Sequence, residues 1–170
     1  VVPANWKVAV EAFLEGYHLL MTHPQALPSV AEHGTQYDVW HHGKAAFSRS
    51  ITPAAVTSYH SKDTTPLGAI ADMWALLNGL RMDDAPPLPE GITDRASLAE
   101  WRRCALGQMT GADYSHLSDA MMLDSIQYWL FPNFCPWLGE GLPLTYLFRP
   151  DADSPDTCYM DAWMLVRVPD

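Results

Sequence analysis

Residues 5–24 have the sequence NWKVAVEAFLEGYHLLMTHP, in which apolar side chains recur mostly at spacings of three and four. That period is typical of a helix that buries one face. Pro24 cannot continue a helix, because it has no backbone N–H to donate. We therefore predict a single helix that runs from Trp6 to about Met21.

The same stretch carries acid and imidazole side chains in the pattern Glu15-x-x-His18-x-x-x-x-His23. On a regular helix Glu15 and His18 lie about 60° apart, whereas His18 and His23 lie about 140° apart. The two histidines can therefore share a metal ion only if the helix loosens between them. Gly16 and Pro24 permit such a distortion. The spacing thus allows a shared metal ion without requiring one.

The remainder of the chain predicts a hairpin, then helices, then strands. The helix predicted over residues 95–108 begins with Thr93 or Asp94 as its cap. This order favours an α+β domain with an antiparallel sheet. The predicted elements are hairpin strands over residues 37–40 and 45–51, helices over 67–80 and 95–108, and strands over 125–131, 142–149 and 158–168.

Composition excludes several classes of function. The formal net charge is −10, from 20 acidic and 10 basic residues, and the basic residues form no stripe, so neither nucleic acid nor an anionic membrane is expected as a partner. No apolar run approaches the roughly 20 residues that cross a bilayer. Cys104, Cys135 and Cys158 lie far apart without a metal-binding motif, which favours a reducing, cytoplasmic setting.

Two segments resemble the catalytic domain in the α subunits of Rieske-type non-heme iron oxygenases, which hydroxylate aromatic rings. The first segment has N-W-K before an apolar helix, then E-x-F, then [D/E]-x-Y-H and H-P. The second segment is YWLFPN over residues 128–133, followed by an apolar strand and an R-P turn at 149–150. Together they bracket most of the chain.

The resemblance implies a helix-grip fold, in which a curved antiparallel sheet folds around a long helix, here incomplete. Residues 1–170 would then be part of the catalytic domain that holds mononuclear iron. The Rieske domain needs C-x-H and C-x-x-H for its [2Fe-2S] cluster, and the sequence contains neither motif. We therefore expect the Rieske domain and a C-terminal helix to lie outside this chain.

The resemblance also implies roles for individual residues. His18 and His23 would be ligands of Fe(II), which imidazole suits. Glu15 would carry electrons to the iron from the Rieske cluster of a neighbouring subunit. The third ligand of the family is an Asp on a later helix, which we expect beyond Asp170.

The implied activity is the activation of dioxygen to hydroxylate an apolar, aromatic substrate, with electrons from a ferredoxin or reductase. Family members assemble as trimers or larger rings. Phe13, Leu19 and Leu27 are our predicted substrate-lining residues. One alternative is a non-catalytic helix-grip domain that binds an apolar small molecule. Another is a zinc hydrolase, although zinc proteases space their two histidines by four residues rather than five.

For four other polar residues we predict structural roles rather than a metal-binding role. Asp119 and Asp124 are possible substitutes for the third ligand, but they precede the strand with F-P-N, and we interpret them as capping or surface acids. His41 and His42 are adjacent, so on a strand they point to opposite faces. We interpret that pair as part of a hairpin turn rather than a second metal site.

Overall fold

The structure is a computed structural model of the chain and describes residues 1–80 and 86–165. Its sheet has six antiparallel strands in sequence order, each hydrogen-bonded to the next along the chain. An α+β fold with an antiparallel sheet is therefore confirmed. The strands are β1 Gln36–His42, β2 Ala45–Thr52, β3 Ser125–Leu130, β4 Phe134–Pro136, β5 Leu144–Pro150 and β6 Cys158–Met164.

Five α-helices accompany the sheet in the part of the chain that the structure describes. Two short 3-10 turns, Pro24–Ala26 and Glu32–Gly34, connect the first helices to the sheet. The helices are α1 Trp6–Glu11, α2 Leu19–Thr22, α3 Pro66–Leu77, α4 Arg95–Thr110 and α5 Asp119–Leu123.

Local sequence signals located α4 and the hairpin well. Asp94, and not Thr93, caps α4, because its carboxylate accepts the Ser97 N–H at 2.8 Å. The helix ends at Gly111, whose φ of 73° is easy only for glycine. β1 and β2 pair from Gln36 and Ile51 to the turn, as the hairpin prediction required.

The prediction of one helix from Trp6 to Met21 was wrong. α1 ends at Glu11 and α2 begins at Leu19, and we call residues 12–18 between them the junction segment. The chain leaves the helix here because side chains take backbone N–H groups that a continuing helix would give to carbonyls. Apolar periodicity does not detect that competition.

The predicted strands in the second half were placed well, but β4 and α5 were not predicted. β4 has three residues and α5 has five, so both are too short to show a period in sequence. Residues 166–168 of the last predicted strand lie outside the described residues.

Two apolar cores hold these elements together. One core joins α3, α4 and α5 through buried side chains such as Trp74, Leu98 and Met122. The other packs α1 on the sheet, where Val10 meets Cys135 and Phe148. Phe13 of the junction segment packs against this second core, so burial of apolar surface there holds the segment on the sheet.

The three cysteines are free thiols. Cys135 and Cys158 are buried, and burial raises the pKa of the Cys135 thiol to about 12, so that it stays protonated. Cys104 is exposed on α4. None of the described helices is long and apolar enough to cross a membrane.

Candidate metal centre

A cavity of about 320 Å³ lies against the junction segment. Glu15, His18 and His23 all contribute to its wall. The opposing part of the wall comes from β2, β3 and the stretch between β4 and β5. The described lining residues are Ala12, Phe13, Glu15, Gly16, His18, Leu19, His23, Ala26, Val30, Ser50, Thr52, Leu76, Ser125, Gln127, Trp137, Leu142 and Tyr146.

Three successive backbone N–H groups in the junction segment bond to side chains. The Gly16 N–H donates to the Tyr37 hydroxyl on β1 at 2.9 Å. The Glu15 carboxylate accepts the N–H of Tyr17 and, at 3.1 Å, the N–H of His18. These bonds lie between the end of α1 and the start of α2, and they give the backbone N–H groups of the junction segment side-chain acceptors instead of helical carbonyls.

Glycine is favoured at position 16 because Thr35 and Tyr37 approach its backbone closely. A Cβ added to Gly16 would lie 3.2 Å from Oγ1 of Thr35 and 3.5 Å from the Tyr37 hydroxyl oxygen. Burial raises the pKa of Tyr37, so its hydroxyl stays neutral as an acceptor for the Gly16 N–H. The close approach ties the junction segment to the edge strand.

Glu15 orients the imidazole of His18. Its Oε1 lies 2.6 Å from Nδ1 of His18, and the two side chains are 28% and 31% exposed. A carboxylate at this distance accepts a hydrogen bond from the Nδ1–H, which leaves the lone pair of Nε2 free. A histidine held in this way is pre-oriented as a metal ligand.

His23 lies beside His18 although four residues separate them in the sequence. Their ring centroids are 5.5 Å apart with an interplanar angle of 74°. The turn between them stays helical, since the His23 N–H donates to the Leu19 carbonyl at 3.1 Å. The backbone leaves the helix only at His23, where φ is −131° and ψ is 48°. The distortion therefore occurs at the second histidine and not between the two.

The spacing of the two rings fits a shared metal ion. With metal–nitrogen distances of about 2.0–2.1 Å, each ring centroid lies about 3 Å from the ion, so two imidazoles on one ion have centroids about 4.5–6 Å apart. The observed separation lies inside that range. Within residues 1–80 and 86–165, no group of three or more His, Cys, Asp or Glu side chains is arranged to hold a metal ion.

Asp119 and Asp124 form ion pairs in the helical layer. Asp119 lies in the first turn of α5 and contacts Arg103 at 2.5 Å. Asp124 is only 5% exposed and accepts hydrogen bonds from Arg95 and from the Ala54 N–H. Asp124 stands at the C-cap of α5 and is a buried structural acid, so its interpretation as a surface acid was wrong.

The three predicted substrate-lining residues lie in different places. Phe13 and Leu19 are on the cavity wall. The Phe13 ring also packs 5.0 Å from the ring of Tyr146. Leu27 is buried outside this wall, with its carbonyl accepting the Ser58 N–H at 2.9 Å.

The sequence analysis did not identify the polar wall of the cavity. Gln127 of β3 and Trp137 pair across an isolated antiparallel bridge, and both line the cavity. Ser50 pairs with Gln127 from the other side. The alternating patterns S-x-T at 50–52 and S-x-Q at 125–127 place polar residues on one sheet face, but sequence alone could not show that this face meets a cavity.

His41 and His42 are the last two residues of β1, so their interpretation as part of the hairpin turn was wrong. They pair with Ala46 and Ala45 of β2, and both are exposed. Neither histidine lines the cavity.

Comparison with known proteins identifies one family. A family model with the description "Ring hydroxylating alpha subunit (catalytic domain)" matches residues 1–169. The resemblance found in the sequence is confirmed by this match. No curated protein and no solved structure matches the chain.

Proposed function

The chain belongs to the family of ring-hydroxylating alpha subunit catalytic domains, and we propose that its cavity is the mononuclear iron site of an oxygenase. Membership of this family supports an oxygenase activity. The observation that carries the proposal is the pairing of His18 with His23 on one cavity wall, at a spacing that suits one ion.

His18 would bind Fe(II) through Nε2, because Glu15 occupies its Nδ1. His23 would supply the second imidazole. The third ligand that the family implies is a carboxylate, which we place beyond Asp170. When bound, the iron would activate dioxygen with electrons supplied from a [2Fe-2S] Rieske cluster outside this chain.

Glu15 is proposed as the electron bridge between the cluster of a neighbouring subunit and the iron. Two features support this role. One carboxylate oxygen contacts the proposed ligand His18, and the side chain is 28% exposed, so it extends from the ligand to the protein surface. The role requires an assembly, for which we propose a homotrimer or larger ring with a ferredoxin or reductase as donor.

Two apolar residues of the cavity wall are proposed to contact the substrate. Phe13 and Leu19 would pack against an apolar, aromatic substrate and exclude water beside the histidines. The packing of α1 on β5 and β6 agrees with a helix-grip arrangement, which we propose for the complete domain. We also propose a cytoplasmic location for the protein.

A non-catalytic helix-grip domain that binds an apolar small molecule is the second candidate. It is favoured by the observation that no complete ligand set for a metal occurs in the described part of the chain. Such a domain would keep the cavity and would not need Glu15, His18 and His23 together.

Isotope labelling separates the two candidates. The intact gene product, loaded with Fe(II) and supplied with a reductase, a ferredoxin and NADH, would be incubated with naphthalene and related aromatic compounds under oxygen-18 gas. We expect labelled hydroxylated products by mass spectrometry, and none from His23→Ala. Recovery of bound but unchanged compounds from the folded wild-type protein would favour the binding domain.

A further inference from the structure

Gln127 and Trp137 form a paired polar site on the sheet wall of the cavity. Residues that face each other across an antiparallel bridge project their side chains from the same face of the sheet. Gln127 is only 7% exposed. Both side chains line the cavity, so what fills the cavity is in contact with this pair.

Each of these side chains holds a buried hydrogen-bond donor without a partner. Nε2 of Gln127 and Nε1 of Trp137 are buried and bond to no other described residue, so a ligand in the cavity reaches them once these side chains turn toward it. The indole nitrogen can only donate, whereas the amide can donate or accept after rotation. A buried donor that stays unpaired is unfavourable, so a ligand with an acceptor oxygen between them is preferred over a hydrocarbon.

The charge of the wall decides which acceptor fits. Among the described residues that line the cavity there is no Lys or Arg, and Glu15 adds a negative charge. On the sheet wall a carboxylate would have no Lys or Arg partner among the described lining residues, and the proposed iron lies at the two histidines instead, so burial of a carboxylate there is unfavourable. A carbonyl or ether oxygen avoids this penalty and still accepts both hydrogen bonds.

We infer that the cavity binds an aromatic molecule with one uncharged acceptor oxygen, held by the Trp137 indole N–H and the Gln127 amide. This inference deepens the proposed function, on which it rests in treating the ligand as the substrate. The acceptor end lies on the sheet wall, whereas His18 and His23 lie on the wall formed around α2. The carbons that face the histidines are therefore those remote from the oxygen.

Equilibrium dialysis under argon, without reductant, measures binding separately from turnover. The probes are 2-acetonaphthone, its hydrocarbon isostere 2-isopropenylnaphthalene, and 2-naphthoate, each with the intact gene product. We expect the ketone to bind about tenfold more tightly than the isostere, because only the ketone pairs the two donors. The carboxylate should bind most weakly of the three.

Matched variants test the two donors. Trp137→Phe and Gln127→Leu should each weaken ketone binding by about threefold to tenfold and leave binding of the isostere unchanged. Trp129→Phe is the control, because its indole donates to the Pro132 carbonyl at 3.2 Å and does not line the cavity. It should leave the affinity for all three probes unchanged.

Three results would overturn the inference. The first is equal affinity of the wild-type protein for the ketone and the isostere. The second is tightest binding of the carboxylate. The third is an equal loss of affinity for both neutral probes in Trp137→Phe. Failure of all three probes to bind a folded protein would also contradict it. His18→Ala should keep the ketone preference, because His18 is not one of the two donors. If the folded wild-type protein shows the ketone preference but forms no labelled product, the oxygenase proposal alone is rejected.

Discussion

α4 and the junction segment use the same kind of hydrogen bond in different places. In α4 the Asp94 carboxylate accepts the Ser97 N–H, and the Ser97 hydroxyl accepts the Asp94 N–H. Both bonds lie at the helix end, so the 16 residues of α4 continue without interruption. In the junction segment the side-chain acceptors Tyr37 and Glu15 act in the middle of a helical sequence.

The difference separates scaffold from site. A cap at the end of α4 satisfies groups that have no helical partner, so it stabilises the helix. The acceptors in the junction segment replace helical bonds and turn the chain, which brings Glu15 against His18 at the cavity. Changes in α4 should therefore alter stability alone, whereas changes in the junction segment should also alter metal binding.

Glu15→Gln should produce the largest effect in the junction segment. A glutamine amide would donate to Nδ1 of His18, which places the ring proton on Nε2 and blocks the nitrogen proposed to bind iron. We expect the Fe(II) affinity to fall by about tenfold to 100-fold, measured by competition with a chelator. Glu11→Gln, on the exposed side of α1, is the control. Equal affinity in wild type and Glu15→Gln would disprove this role.

Two glycine-to-alanine changes test the comparison by stability. Gly16→Ala should lower the free energy of unfolding by about 1–2 kcal/mol, because the new Cβ crowds Thr35 and disturbs the bond to Tyr37. Gly107→Ala in α4 meets only the Ala112 carbonyl oxygen at 3.4 Å, so we expect a gain of up to about 1 kcal/mol. Urea denaturation of both variants measures the difference, and the same sign for both would contradict the account.

Asp94→Ala should have the smallest effect and one confined to stability. We expect the melting temperature to fall by about 3 °C through loss of the cap, with unchanged Fe(II) affinity. Hydrogen bonds from Ser97 lower the pKa of Asp94, so its contribution is present above the unfolded pKa and is lost as pH falls through the folded pKa. Thermal melts of wild type and variant should therefore converge at acidic pH. A change in Fe(II) affinity would contradict a purely structural role for α4.

Sequence predicted the regions whose bonding partners are near in the chain. The Asp94 and Ser97 box is three residues long, and the hairpin closes across a short turn, so both were accessible to local rules. The acceptor that interrupts the first helix is Tyr37, which is 21 residues from Gly16. No local pattern contains that pairing, and a single helix was the natural prediction.

The candidate site also has one part that could be predicted from the sequence and one part that could not. Glu15, His18 and His23 were found because they lie in one short motif that resembles a family. Gln127 and Trp137 come together only through the pairing of β3 with the residues after β4. β4 itself is too short to predict, so the register that joins the two donors could not be read from the sequence.

Electron paramagnetic resonance of the nitric oxide adduct tests the central claim most directly. The intact gene product would be loaded with Fe(II) without oxygen and treated with nitric oxide, alongside His18→Ala, His23→Ala and the hairpin control His41→Ala. The account predicts a ferrous-nitrosyl signal in the wild type and in His41→Ala, and its loss in both cavity variants. Retention of the signal in His18→Ala and His23→Ala, or its absence from a folded wild-type protein, would contradict the assignment of the two histidines as iron ligands.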